Sequence, residues 1–90
     1  MCIQRKFQIG DIVQHFKRET ITTLDDQNKY LYVIRDFANH TETCETLVIY
    51  QALYAPFDTF ARHYETFCEE VDHKKYPDIK QKFRFEKHDI

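Results

Sequence analysis

Residues 46–54 read Thr-Leu-Val-Ile-Tyr-Gln-Ala-Leu-Tyr, and this stretch decides the fold class. It is rich in β-branched and aromatic residues, which favour strands, and it is bounded by a polar turn before it and by Ala55-Pro56 after it. Apolar residues occupy both faces of the predicted strand, a pattern typical of a strand covered on both sides or curled into a small barrel. Proline ends the strand because it removes a ladder hydrogen-bond donor.

Further strand signals lie on either side of this stretch. Residues 9–17 predict a first strand with a turn at Gly10-Asp11 near its start. Residues 30–37 predict a second strand. Residues 18–29 are polar and predict a loop with room for a helical turn, and residues 39–45 predict a hairpin connection. Phe83 and Phe85 alternate with charged residues, which predicts a short final strand.

Residues 58–71 support two interpretations. Their apolar side chains fall at the spacing of an amphipathic helix face, with Asp58 or Thr59 as a cap. The family resemblance described below implies instead a strand at 59–62 followed by a tight turn at 63–67. We adopt the strand and turn.

Size and composition bound the functions that are open to the chain. Ninety residues predict a single domain spanning residues 1–90, and 42% hydrophobic content is enough for a packed core. The formal net charge is −2, whereas a nucleic-acid-binding domain usually carries a basic excess. Residues 58–72 carry five acidic side chains and one basic, and residues 73–90 carry six basic and three acidic. We expect this basic segment to pair with its acidic neighbour or to be solvated, so that nucleic-acid binding is a weaker alternative.

The cysteines and the hydropathy pattern indicate a cytoplasmic protein. Cys2, Cys44 and Cys68 are odd in number and widely spaced, which fits reduced thiols rather than a disulfide framework or a zinc site. No apolar run is long enough for a membrane span, and the N-terminal residues lack the apolar segment of a signal peptide.

The sequence lacks the residues that several classes of active site require. A single glycine cannot build a phosphate-binding loop, and a chain with no serine excludes a serine hydrolase. A Cys–His nucleophile pair stays formally open, but no spacing supports it. His40 and Glu42 would supply only two ligands to a metal, so we predict no metal and no cofactor. The simpler interpretation is that both residues hydrogen-bond the turn that they occupy.

The order and spacing of several segments together resemble the domain of unknown function 1653 family of small bacterial proteins. The matching segments cover about residues 7–86: Gly10-Asp11-Ile12-Val13, His15-Phe16-Lys17-Arg18-Glu19, Tyr30-Leu31-Tyr32, His40-Thr41-Glu42-Thr43, 47–54, Ala61-Arg62, Tyr64-Glu65, Phe67 and 76–86. The resemblance implies a mostly antiparallel β-domain, a small SH3-like β-barrel with short helical turns. It implies no activity, because the family is named for its lack of a known function.

Three positions depart from the pattern of that family. The family has Gly where this chain has Cys44, a Gly-acid pair where it has Ala55-Pro56, and Pro where it has His63. Where a turn requires a positive φ, loss of its glycine costs about 1 kcal/mol. The turn after Arg62 is expected to be looser, because histidine lacks the fixed φ of proline.

We predict one polar-aromatic surface patch that binds a ligand. An arginine offers a rigid fork for carboxylate or phosphate, an imidazole titrates near neutral pH, and tyrosines give flat apolar contact with a polar tip. The resemblance adds that these residue types lie in the family's recurrent segments. The predicted patch residues are His15, His40, Glu42, Tyr50, Tyr54 and Arg62. The competing interpretation is structural: Tyr50 and Tyr54 pack in the core, and Arg62 pairs with Glu42.

These observations favour a non-catalytic binding module whose partner is a protein segment or a small ligand. The alternative is a small enzyme or enzyme component with a His/Glu/Arg site. An enzyme needs polar groups that converge in a cleft, whereas a binding module works with a shallow groove or a strand edge.

Overall fold

The computed structural model describes residues 7–20 and 28–88, and five strands dominate this part of the chain. In chain order the elements are β1 (Ile12–His15), a 3-10 helix (Phe16–Thr20), β2 (Leu31–Asn39), β3 (Thr46–Ala52), β4 (Thr59–His63), α1 (Tyr64–Phe67) and β5 (Phe85–Lys87). The mostly β fold class is therefore confirmed. No helix in the described ranges is both long enough and apolar enough to cross a membrane.

The strands form one antiparallel sheet in the order β4-β3-β2-β1-β5. β3, the stretch that decided the fold class, pairs with β2 on one side and β4 on the other. Its alternate residues Val48, Tyr50 and Ala52 are buried, and those between them are only half-buried, so one face carries the core. A register shift between Ile34 and Asp36 bends β2, which curls the sheet around the buried rings.

The sheet is not closed, so the predicted SH3-like barrel is not confirmed. β4 and β5 are the two edges and do not pair with each other. Instead, the backbone of residues 64–84, which connect β4 to β5, forms hydrogen bonds within this connection. The Val71 amide donates to the Lys82 carbonyl over 2.8 Å, and the Arg84 amide donates to the Glu69 carbonyl over 2.7 Å. The connection thus satisfies part of its own backbone while the two edge strands stay apart.

The first strand is shorter than predicted. Residues 9–17 were expected to be extended, but β1 ends at His15 and a 3-10 helix follows. The chain turns there because the Phe16 amide donates to the Arg84 carbonyl over 3.0 Å, and Phe16 enters a second buried cluster with Val71 and Ile79. The predicted loop at 18–29 falls largely on residues 21–27, which lie outside the described residues.

The strand and turn adopted for residues 58–71 are confirmed, and the periodic helix is wrong. Thr59 pairs with Gln51 at one end of β4, and His63 pairs with Leu47 at the other. Only one helical turn follows, Tyr64–Phe67. Phe67 is drawn inward, where its ring stacks on that of Phe85 with a centroid separation of 4.2 Å. Sheet pairing and this one buried ring outweigh the helical spacing of the apolar residues.

The β2–β3 turn contains a left-handed residue. Cys44 has a φ of +62°, as a turn built for glycine requires. The Ala55–Pro56 bond is cis, and the positive φ in that turn lies at Phe57 instead, at +63°. His63 has a φ of −56°, within the range of the proline that the family carries there.

Candidate functional site

Aromatic rings from four strands form the floor of the candidate site. Tyr32 on β2 and Tyr50 on β3 are buried, with ring centroids 5.3 Å apart. The Phe60 ring on β4 lies 5.6 Å from Tyr50, and the Phe85 ring on β5 lies 5.3 Å from it on another side. These separations are those of edge-to-face and tilted aromatic pairs, so the floor is rigid and apolar.

These rings line the smaller of two adjoining cavities. The smaller has a volume of about 210 Å³ and is lined mainly by aromatic rings, and the larger has a volume of about 470 Å³ and is lined mainly by charged side chains. Three residues line both cavities and mark their junction: His15, Lys17 and Arg62. We call the two cavities together the cleft. The larger volume falls in the range of about 300–1,000 Å³ that small-molecule sites occupy.

His15 ends β1 and is held among rings. Its imidazole stacks on Phe16 at 4.4 Å and meets the edge of Phe85 at 5.0 Å. Its Nδ1 accepts a hydrogen bond from the Lys17 amide over 3.1 Å, which assigns the proton of the neutral ring to Nε2. Burial, then the charges of Arg84, Lys17 and Arg62, lower the pKa of His15 to about 4. The ring is therefore a neutral hydrogen-bond donor at neutral pH.

Two of the three positive charges that act on His15, those of Arg62 and Lys17, stand outside the ion pairs of the described residues. Arg62, on β4, donates from Nε to the Tyr50 hydroxyl over 3.3 Å. Neither Arg62 nor Lys17 belongs to an ion pair within residues 7–20 and 28–88. Arg84 does pair with Glu69, at 3.3 Å, but its Nε is buried without a hydrogen-bond partner. The junction thus brings together two cations that form no direct ion pair within the described residues, although three acidic side chains line the larger cavity beside them.

Acidic side chains line only the larger cavity. They are Glu69, Glu70 and Asp72. Glu69 is engaged by Arg84, and the Asp72 carboxylate accepts hydrogen bonds from the amides of Lys74 and Lys75 over 3.1 and 3.3 Å. The predicted pairing of the basic segment with its acidic neighbour is thus realised at Arg84–Glu69.

Tyr54 lies beside the cleft without lining it. Its hydroxyl shares a 2.7 Å hydrogen bond with that of Tyr32, and Lys29 Nζ lies 4.6 Å from the centre of its ring. Burial and this hydrogen bond raise the pKa of Tyr32 far above its ordinary value, so its hydroxyl stays protonated. Tyr54 therefore fixes the orientation of Tyr32.

His40 and Glu42 line neither cavity. They occupy the β2–β3 turn, where His40 Nδ1 accepts hydrogen bonds from the backbone amides of Glu42 and Thr43 over 3.1 and 3.3 Å. The His40 ring lies 6.3 Å from that of His63, which in turn pairs with Glu45. Of the predicted patch, His15, Tyr50 and Arg62 come together, Tyr54 adjoins them, and His40 and Glu42 lie elsewhere.

The sequence interpretation missed several lining residues. The sequence did contain a signal for Tyr32, because pairing of the predicted strands at 30–37 and 46–54 brings its ring beside Tyr50. The sequence contained no such signal for Lys17 and Arg84, because Lys17 lies in a 3-10 helix and Arg84 in an irregular connection. Within the described residues, no group of three or more His, Cys, Asp or Glu side chains could hold a metal ion.

The fold and the cleft define a small, mostly β domain with an open antiparallel sheet and, among the described residues, a cleft lined by aromatic, basic and acidic side chains. A family model described as protein of unknown function (DUF1653) matches residues 11–87, and the chain belongs to that family. The resemblance stated from the sequence is thereby confirmed. No curated protein and no solved structure matches the chain.

Proposed function

We propose that the domain is a non-catalytic binding module that holds an anionic group of a small ligand at the junction of His15, Lys17 and Arg62. The observation that carries this proposal is the pair of cations there, Lys17 and Arg62, which form no ion pair within the described part of the chain. Bringing like charges together costs free energy, and a bound phosphate or carboxylate group offsets that cost. The Nε2–H of His15 adds a neutral donor.

The chemistry of His15 favours binding over catalysis. A general acid or base works best with a pKa near the operating pH, and burial and neighbouring charges lower the pKa of His15 to about 4. Of the three carboxylates that line the larger cavity, Glu69 is engaged by Arg84 and Asp72 by backbone amides, which leaves Glu70 as the candidate proton acceptor of an enzyme. The small enzyme remains the alternative function.

The overall charge gives nucleic-acid binding less support, because the formal net charge is −2. In the basic C-terminal segment, Arg84 pairs with Glu69 at 3.3 Å and Lys87 pairs with Asp11 at 3.6 Å, so that carboxylates compensate two of its six basic side chains. Phosphate-backbone binding requires cations that are available to release counterions. A cytoplasmic location fits the module, because Cys44 is an exposed thiol outside any disulfide.

Inorganic phosphate titrated into the protein tests the proposal by NMR. We expect wild type to bind phosphate with shifts of His15, Lys17 and Arg62 resonances, and Arg62→Gln to bind at least tenfold more weakly. Arg35→Gln is the matched control, since Arg35 is exposed on β2 and lines neither cavity. Equal affinity of Arg62→Gln and wild type, or no response to phosphate at the cleft, would refute anion binding at this site.

A further inference from the structure

We infer that the ligand of the cleft joins a planar ring to a phosphate group, with the ring in the smaller cavity and the phosphate at the junction. This inference rests on the proposed anion-binding function and adds the class of ligand.

Aromatic rings form most of the lining of the smaller cavity, beside the polar groups of its junction residues. Two of its lining tyrosines already use their hydroxyls: Tyr32 with Tyr54 at 2.7 Å, and Tyr50 with Arg62 at 3.3 Å. Rings therefore supply its walls, and aromatic faces bind planar rings by stacking without requiring a particular hydrogen-bond pattern.

Phe60 gives this cavity an open aromatic side. Its side chain is 40% exposed on edge strand β4, although its ring lies within 6.2 Å of Tyr32 and 5.6 Å of Tyr50. A ring that enters the cavity would cover this exposed face, which removes apolar surface from water. Phe57, exposed to 55%, lines neither cavity and has no such role.

The junction fixes where the charged group lies relative to the ring. The smaller cavity, at about 210 Å³, is below the size of a site for a whole drug-sized ligand, so a bound molecule extends beyond it. The residues shared with the larger cavity stand at that exit, and they are the same His15, Lys17 and Arg62 that carry the anion-binding proposal. The charged group is therefore directly attached to, or a short link from, the ring.

The number of donors at the junction favours phosphate over carboxylate. An ammonium, a guanidinium and the Nε2–H of His15 approach from the 3-10 helix, β4 and β1 respectively. A phosphate group offers three terminal oxygens and up to two negative charges, which match donors from three elements, whereas a planar carboxylate offers two oxygens and one charge.

Four probes separate the parts of the inference by calorimetric titration: adenosine monophosphate, ribose 5-phosphate, adenosine and indole-3-acetate. We expect adenosine monophosphate to bind at least tenfold more tightly than each of the others. Phe60→Leu should weaken adenosine monophosphate at least fivefold and leave ribose 5-phosphate unchanged, and the matched control Phe57→Leu should change neither. NMR shifts of Phe60 and Tyr50 rings should respond to adenosine monophosphate but not to ribose 5-phosphate.

Each contrary result overturns a different statement. Equal binding of ribose 5-phosphate and adenosine monophosphate, or an unaffected Phe60→Leu variant, would refute the ring while leaving anion binding in place. Tighter binding of indole-3-acetate than of adenosine monophosphate would refute the phosphate. Failure of inorganic phosphate and of all three anionic probes to bind would refute the proposed function itself.

Discussion

The Nε atom of Arg62 lies 3.3 Å from the hydroxyl oxygen of Tyr50 and donates a hydrogen bond to it. The two residues sit on neighbouring strands, where Arg62 pairs with Val48, and Tyr50 is two positions further along β3. Such diagonal neighbours are within reach of long side chains. A neutral phenol thus orients the guanidinium without neutralising it, and its terminal nitrogens remain for the cleft.

Arg62→Gln should lower the free energy of unfolding by less than about 1 kcal/mol, because the variant removes one long hydrogen bond and no ion pair. The structural alternative, an Arg62–Glu42 pair, is absent from the ion pairs of the described residues. Urea denaturation beside the control Arg35→Gln measures the difference. A loss of about 3 kcal/mol, as for a broken buried pair, would assign Arg62 to the scaffold instead.

Cys44→Gly should raise the free energy of unfolding by about 0.5–1 kcal/mol, because Cys44 has a φ of +62° and glycine adopts this conformation without a Cβ clash. Cys44→Ala is the matched control, since it removes the same exposed thiol and keeps the Cβ. Thermal or urea denaturation under reducing conditions checks both variants. If alanine stabilises as much as glycine, the thiol rather than the backbone is responsible.

His15 should make the stability depend on pH between about 6.5 and 4. Its pKa is lowered from 6.5 to about 4 in the folded state, so the unfolded chain binds the proton first as pH falls. The stabilisation is complete above pH 6.5 and is lost as pH falls towards 4. Solvent screening around this half-buried ring limits the loss to about 1–2 kcal/mol.

The cationic groups that face His15 are Arg84, Lys17 and Arg62, and its ring neighbours are Phe16, Tyr30 and Phe85. Denaturation midpoints of wild type and His15→Gln across this range isolate its contribution, since all other titrating groups are common to both. The variant should show the shallower slope below pH 6.5. Parallel pH profiles would contradict the lowered pKa.

Gln81→Leu should lower the free energy of unfolding by about 2–3 kcal/mol, because it removes a buried amide group together with its hydrogen bonds to three carbonyls. The Gln81 amide group donates to the carbonyls of Gln14, Phe83 and Arg84 over 3.1, 2.7 and 3.2 Å, and its oxygen accepts from the Gln14 side chain over 2.9 Å. Gln51→Leu is the control, since its amide donates once, to the exposed Phe57 carbonyl. Equal losses in the two variants would show that the Gln81 network contributes nothing specific.

The sequence predicted those parts of the fold that local pattern determines. The strands at 30–37 and 46–54 have β-branched and aromatic runs between polar turns, and both form, as β2 and β3. Residues 58–71 show the limit of periodicity, because an edge strand and one helical turn can carry apolar residues at helical spacing. The barrel is not confirmed, because the edge strands β4 and β5 do not pair, and pairing between the two ends of a sheet is a non-local property that no local pattern encodes.

Three of the six residues predicted for the patch line the cleft, and residue type alone could not tell them from the other three. His15, Tyr50 and Arg62 were chosen for their chemistry, and antiparallel pairing brings them together. His40 and Glu42 have the same kinds of side chain, yet they lie in a turn that neither cavity reaches. Phe85 joins the site because β5 returns beside β1, a pairing across more than sixty residues that no local pattern encodes, and Lys17 joins it through the 3-10 helix after β1.

The pKa of His15 with and without a bound anion tests the central claim most directly. Sulfate suits the measurement because its charge is constant over this range, and chloride at equal ionic strength is the control. A dianion beside Arg62 and Lys17 stabilises the imidazolium, so NMR titration should show the pKa of His15 rise from about 4 by about one unit or more at saturating sulfate. In Arg62→Gln the rise should shrink. A pKa of His15 that stays the same in sulfate and in chloride would contradict anion binding at the junction.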